Sequence, residues 1–221
     1  MEKTREKLPT FPTVDELSQM GIFRVKNPAG THVALKAFRA DPDANPLKTP
    51  SGKIEIFSKR LYDLSLSWEF DDSVLGDRLT ARPEFVTTWE GATEVEGSEF
   101  PLQCIGHHYK GRVHASYAND PWLQEAHRQT LWINPLDAEA RGVRHADMVR
   151  VFNDRGVTEM EANLTPRIMP GVVSVPQGAW YKPDADGVDK GGCINTLTRD
   201  KPTPLAKGPA LHTVLVEVEK I

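Results

Sequence analysis

The stretch WINPLDAEARGVRHADMVRVFNDRG, residues 132–156, decides the fold. Asn134 is placed to cap a helix whose first residue is Pro135, since proline there gives up only an amide that would be unpaired anyway. Gly142 ends that helix. Met148 to Phe152 reads as a strand. Asn153-Asp154-Arg155-Gly156 then makes a hairpin turn in which Gly156 can adopt φ > 0. Past the turn, Thr158, Met160, Ala162 and Leu164 alternate with Val157, Glu159, Glu161 and Asn163, giving a return strand one mostly apolar face.

Working outward, the signals on either side are also short strands. Pro101 to Gly106 is apolar and ends in glycine. Gly111 to Tyr117 alternates, so that as a strand it would set Arg112, His114 and Ser116 on one side and Val113, Ala115 and Tyr117 on the other. Pro170-Gly171 turns into the strand Val172 to Val175. Val214, Val216 and Val218 alternate against Leu215, Glu217 and Glu219. Many short strands with Gly and Pro punctuation and few, short helices imply a mainly β fold closed into a small barrel. Before residue 100 the order is weaker. Val14 to Met20 is a short helix with Thr13 as its cap and Gly21 as its stop. Asp41 to Pro50 is a loop, Lys53 to Ser58 reads as a strand, and the acidic stretch 71–98 reads as a surface loop. A domain boundary is expected near residue 100, with an irregular N-terminal segment before it.

The chain has 221 residues, 39% apolar and 26% charged, enough for one or two soluble domains with a core. A net charge of −4 argues against a nucleic-acid or anionic-membrane partner. No apolar run reaches a membrane span, and the charged start is not followed by the apolar core of an export signal. Cys104 and Cys193 fit no CxxC pattern, and two isolated buried thiols are favoured over a disulfide. Two cysteines are too few for an iron–sulfur cluster, which takes about four.

Three segments could hold a ligand. In GHHYKGRVHAS, residues 106–116, the glycines permit close backbone approach, and Arg112, His114 and Ser116 would offer a cation and hydrogen bonds to a polar, anionic, heterocyclic ligand. The same residues also read as a solvated strand face with ordinary surface histidines. Pro176 to Tyr181 offers Gln177, small residues and two aromatics as a wall for a flat ligand, or a loop pinned by Trp180 in the core. Gly191 to Thr198 can present free N–H groups and the Asn195 amide to an oxygen-rich ligand, or simply turn into a short helix. Other patterns fail. Cys104, His107, His108 and His114 match no common zinc spacing. Ser51-Gly52-Lys53 lacks the rest of a phosphate-binding loop. Asp184, Asp186 and Asp189 lack calcium-loop order and read as a solvated acidic loop.

In their order along the chain, the segments Thr49 to Glu55, Arg112 to Ser116, Trp132 to Gly156, Pro170 to Trp180, Gly191 to Thr198 and the Val-rich last strand resemble a known family. They look like the C-terminal part of catalytic subunits of the dimethyl sulfoxide reductase family of molybdopterin oxidoreductases, anaerobic A subunits above all. The resemblance implies a double-psi β-barrel over residues 100–221 and a partial segment of the preceding domain over 1–99. It implies that Gly106, His107, Arg112, His114, Ser116, Gln177, Trp180, Asn195 and His212 contact a bis(molybdopterin guanine dinucleotide) molybdenum cofactor. The reaction implied is reductive oxygen-atom transfer from S-oxides or N-oxides.

The family's iron–sulfur cysteines and molybdenum ligand have no counterpart here, so neither a catalytic residue nor a metal ligand is expected in this chain. It reads as a C-terminal fragment, a cloned domain or the product of a split gene, inactive and without cofactor when alone. Its implied partners are the rest of the catalytic subunit, an iron–sulfur electron-transfer subunit and a membrane anchor subunit. The parent would be periplasmic and membrane-associated, and this chain alone cytoplasmic. A free-standing β-barrel binding or assembly module, and a hydrolase built on the histidines, are the competing readings.

Overall fold

A computed structural model describes residues 2–26, 30–69, 79–85, 90–209 and 212–221. The chain clusters into two compact units, Met1–Ile56 and Phe57–Ile221. The first carries three short helices, α1 (Glu2–Lys7), α2 (Val14–Met20) and α3 (Lys36–Ala40). Helix α2 begins as expected. Thr13 and Glu16 form a reciprocal capping box, and Gly21 stops the helix at φ +71°. Phe11 and Phe23 meet edge to face at 5.5 Å.

The second unit opens with α4 (Lys59–Ser65) and then builds a barrel. Its elements are β1 (Leu102–His107), α5 (Pro121–Ala126), β2 (Thr130–Ile133), α6 (Pro135–Glu139), β3 (Met148–Asn153), β4 (Gly156–Leu164), β5 (Val172–Pro176) and β6 (Val214–Lys220). The six strands close in the order β1-β5-β2-β4-β3-β6. Two pairs are parallel, β1 with β5 and β2 with β4, and the rest antiparallel. This is the closed, mixed, double-psi-like barrel that the strand pattern and the family resemblance called for.

Alternate residues of every strand fill the barrel: Leu102 and Cys104, Leu131 and Ile133, Val149 and Val151, Met160 and Ala162, Val173 and Val175, and Val214, Val216 and Val218 are all buried. Each such side chain contributes about 1.5–3 kcal/mol through removal of apolar surface from water. Asn134 caps α6 through Leu136 N (3.0 Å) and also donates to Ile168 O (2.7 Å), tying the helix to the turn before β5. Both cysteines are free and buried, as expected, and burial pushes the Cys104 thiol up to about 12. Among the described residues no helix is long and apolar enough to cross a membrane.

Four local readings need correction. Residues 53–58 form no strand: Ile54 and Ile56 are exposed, and Thr49 and Ser51 bind the backbone and side chains of 53–55 instead. Among the described residues no strand pairs with this segment, so it has no ladder to join. Gly111 to Tyr117 is a tight turn rather than a strand, with Val113 bridged to Ser116 and left-handed φ at His114 (+49°) and Tyr117 (+67°). Two left-handed residues break the two-residue period, so the proposed shared side does not exist. Gly156 does not use positive φ; a Cβ there would lie 2.7 Å from Thr196 Cγ2, so its role is close approach. Asp189 is fully buried, not solvated. Of the stretch 71–98, residues 71–78 and 86–89 lie outside the described residues, while Glu90 is buried against the barrel.

Candidate functional site

Parallel pairing of β1 with β5 puts His107 opposite Pro176, so the segments that follow both strands emerge at the same barrel end. Gln177 N donates to His107 O (2.9 Å), and Gln177 Nε2 to Gly106 O (3.2 Å). Gly178, at φ +87°, lies against the 114–115 turn so closely that a Cβ would stand 1.9 Å from His114 O. Trp180 is 48% exposed and donates its indole N–H to Ala115 O (3.0 Å), so it flanks the turn and does not pin a core. The third segment arrives the same way: a Cβ on Gly191 would lie 2.0 Å from Trp180 O. Segments 106–116, 177–180 and 191–195 therefore converge at this end of the barrel.

Arg112 stands at the junction, with its own chain as partner. Nε donates to Gln177 O (2.8 Å), and Nη2 to Gln129 Oε1 (2.6 Å) and Pro176 O (3.3 Å). Its guanidinium also lies 4.7 Å from the Tyr109 ring centre. Gln129 completes the knot by donating to Pro176 O (2.9 Å) and Gly192 O (2.8 Å). Nothing in the sequence marked Gln129, because an amide that binds two backbone carbonyls and one distant side chain carries no spacing signal. Beside the knot runs a groove of about 320 Å³, lined by Arg112, His127, Trp180, Lys182 and Gly191 among others.

His107 is the most informative side chain. Ser174 Oγ donates to Ile105 O (3.1 Å), which uses its one hydrogen. Ser174 Oγ also lies 2.7 Å from His107 Nδ1, an arrangement that the Nδ1–H tautomer of the ring satisfies. In that tautomer Nε2 is an acceptor, buried and without a partner among the described residues. Burial, with the Arg112 charge in support, lowers the His107 pKa and keeps the ring neutral. Burial likewise lowers the Arg112 pKa from its very high ordinary value. His212 reaches the same place by accepting from Gly106 N at 3.2 Å. His114 and Ser116 sit on the exposed turn, and His114 lies 5.0 Å ring to ring from His108. Asn195 is exposed on a single 3-10 turn, Ile194–Thr196.

A pterin dinucleotide brings ring N–H donors and a diphosphate. A buried imidazole nitrogen with no partner among the described residues, beside a guanidinium and several exposed polar side chains, fits such a group. Among the described residues no group of three or more His, Cys, Asp or Glu side chains is placed to hold a metal ion.

Comparison with known proteins agrees with this geometry. A family described as "Molydopterin dinucleotide binding domain" matches residues 102–215, from the first barrel strand into the last. Dimethyl sulfoxide reductase DmsA of Escherichia coli (strain K12) is 52% identical over 219 residues, 99% of this chain and 26% of that protein. DmsA of Haemophilus influenzae is 46% identical over 220 residues, 100% of this chain and 27% of that protein. Trimethylamine-N-oxide reductase 1 of Escherichia coli (strain K12) is 39% identical over 198 residues, 85% and 22% respectively. The chain thus spans about a quarter of the length of the curated relatives it matches. Among solved structures, acetylene hydratase from Pelobacter acetylenicus shares the fold, with a TM-score of 0.64 at 16% identity over 82% of this chain and 25% of that one.

Proposed function

From the premise that the chain belongs to the Molydopterin dinucleotide binding domain family, we propose that it is the cofactor-holding part of a dimethyl sulfoxide reductase-like molybdenum oxidoreductase. In this reading residues 100–221 are the dinucleotide-binding barrel, and 1–99 belong to the domain before it. The cofactor is bis(molybdopterin guanine dinucleotide), which when bound supplies the metal chemistry of oxygen-atom transfer from S-oxides or N-oxides.

The chain's own residues orient that group and shield it. His107 Nε2 accepts from a pterin N–H, held in the right tautomer by Ser174. Arg112 holds the 106–116 and 177–180 segments in register through carbonyl oxygens, and its charge favours a nearby diphosphate. His114, Ser116, Gln177, Trp180, Asn195 and His212 line the approach. Neither the transferred oxygen nor the metal is touched by a catalytic side chain from this chain. The partners are the rest of the catalytic subunit, an iron–sulfur electron-transfer subunit and a membrane anchor subunit, on the periplasmic face of a membrane. The chain alone is inactive.

Convergence of three chemically apt segments beyond one barrel end is the observation that carries this reading. Its test is a chimera in which this chain replaces the matching 219 residues of the Escherichia coli relative. The chimera is expected to load molybdenum and guanine nucleotide and to reduce dimethyl sulfoxide. A folded chimera that loads neither would sink the assignment.

A further inference from the structure

We propose that Asp189 is a positioning residue that shapes the cofactor-facing loop by gathering its backbone amides, an inference that rests on the site assignment above. Its carboxylate is fully buried and every contact to it is a donor. Oδ1 accepts from Lys182 N (2.8 Å) and Gly191 N (2.9 Å). Oδ2 accepts from Thr158 Oγ1 (2.8 Å) and Cys193 N (2.6 Å). The residue's own backbone is fastened to β4, with its N–H on Val157 O (3.0 Å) and its carbonyl accepting from Glu159 N (2.9 Å).

Burying a carboxylate is costly unless its oxygens are satisfied, and here four donors satisfy them. Three of the four are main-chain amides, one from the arm that follows Trp180 and two from the arm that leads to Asn195. Both arms are candidate ligand-contacting segments, so one side chain sets the shape of both. The effect continues outward. With the Gly191 and Cys193 amides turned toward Asp189, the Gly192 carbonyl is left to accept from Gln129. Gln129 in turn holds Arg112, which holds the Gln177 carbonyl. Asparagine cannot replace this carboxylate, because its amide nitrogen would face two donors whichever way it turned.

The test uses Asp189→Asn in two settings. In the whole 221-residue chain, the amide signals of Lys182, Gly191 and Cys193 are expected to shift and lose protection from exchange, while those of β1 to β6 stay. In the chimera, Asp189→Asn is expected to lower molybdenum per subunit by at least about tenfold, a typical loss when a supporting residue behind a site is removed. Val151→Ala, a core truncation away from the loop, controls for stability and is expected to load within about twofold of the parent. If Asp189→Asn does not fold, Thr158→Val removes one donor and is expected to shift Cys193 and reduce loading part-way. Unchanged amide signals overturn the inference. Full loading by Asp189→Asn overturns the positioning role and leaves the site assignment standing, whereas failure of the parent chimera to load overturns both.

Discussion

Replacing Glu90 with glutamine should loosen the clamp that ties the segment before β1 to the barrel. Oε1 of Glu90 accepts from Arg155 Nη1 (2.8 Å) and from Arg199 Nε, and Oε2 accepts from Arg155 Nη2 (2.7 Å) and Leu215 N (2.8 Å). An amide offers one such oxygen, so two of the four contacts become donor against donor. Hydrogen bonds to charged groups are worth about 1.5–3 kcal/mol each. Arg155 and Arg199 keep 20% and 34% of their side chains exposed, so water recovers part of the loss. The net cost should be about 3 kcal/mol by urea unfolding at pH 7.

The pH dependence gives a second handle on Glu90. Burial alone would raise its carboxyl, but the bonds from Arg155, Leu215 N and Arg199 outweigh it and hold the group below the ordinary 4.5. A lowered folded value means the contribution is complete above about pH 4.5 and is lost as pH falls through the folded value. The stability gap between the parent and Glu90→Gln should therefore be full at neutral pH and close on acidification. A neutral-pH gap under about 1 kcal/mol, or one that widens in acid, would refute the clamp.

Two further outcomes follow from the same structure. With Cys104 pushed up to about 12 by burial and Cys193 also raised by burial, neither thiol should react with a disulfide reagent at pH 8 until denaturant is added; rapid labelling of the native chain would contradict their placement. Gly178→Ala should cost at least about 1–2 kcal/mol for its left-handed backbone alone. Because the new Cβ would collide with His114 O, the Trp180 indole proton should also lose its hydrogen-bonded shift, read by NMR.

The barrel was legible because its information is local and periodic. The Val214, Val216 and Val218 alternation, the Asn134-Pro135 cap and the two-residue turn at Asp154 and Arg155 each announce themselves within a few residues. The three glycine-bearing segments were legible one by one as places of close backbone approach, and only the family resemblance joined them into one group. What stayed hidden depends on partners distant in sequence. Asp189 looks like its solvated neighbour Asp186 until four donors from 158 to 193 surround it. Glu90 lies in an acidic stretch and meets cations 65 and 109 residues away. Alternation misled at Gly111 to Tyr117, where two left-handed residues cancel the period. At Lys53 to Ser58 a correct apolar pattern found no neighbouring strand.

The strand order has a consequence for how the domain comes into being. Only β3 and β4 are joined by a hairpin; β6 pairs with both β1 and β3, so it is the staple that closes the ring. Such long-range closure is slow, because distant segments must meet before their contacts repay the lost freedom. On the ribosome, the segments 106–116, 177–180 and 191–195 are all made before β6 emerges. Until then β1 and β3 each present an unpaired edge, open to misassembly. Closure of the barrel therefore waits for β6, the last of its six strands in chain order, and the ring is completed only once the sequence from Leu102 to Lys220 is present.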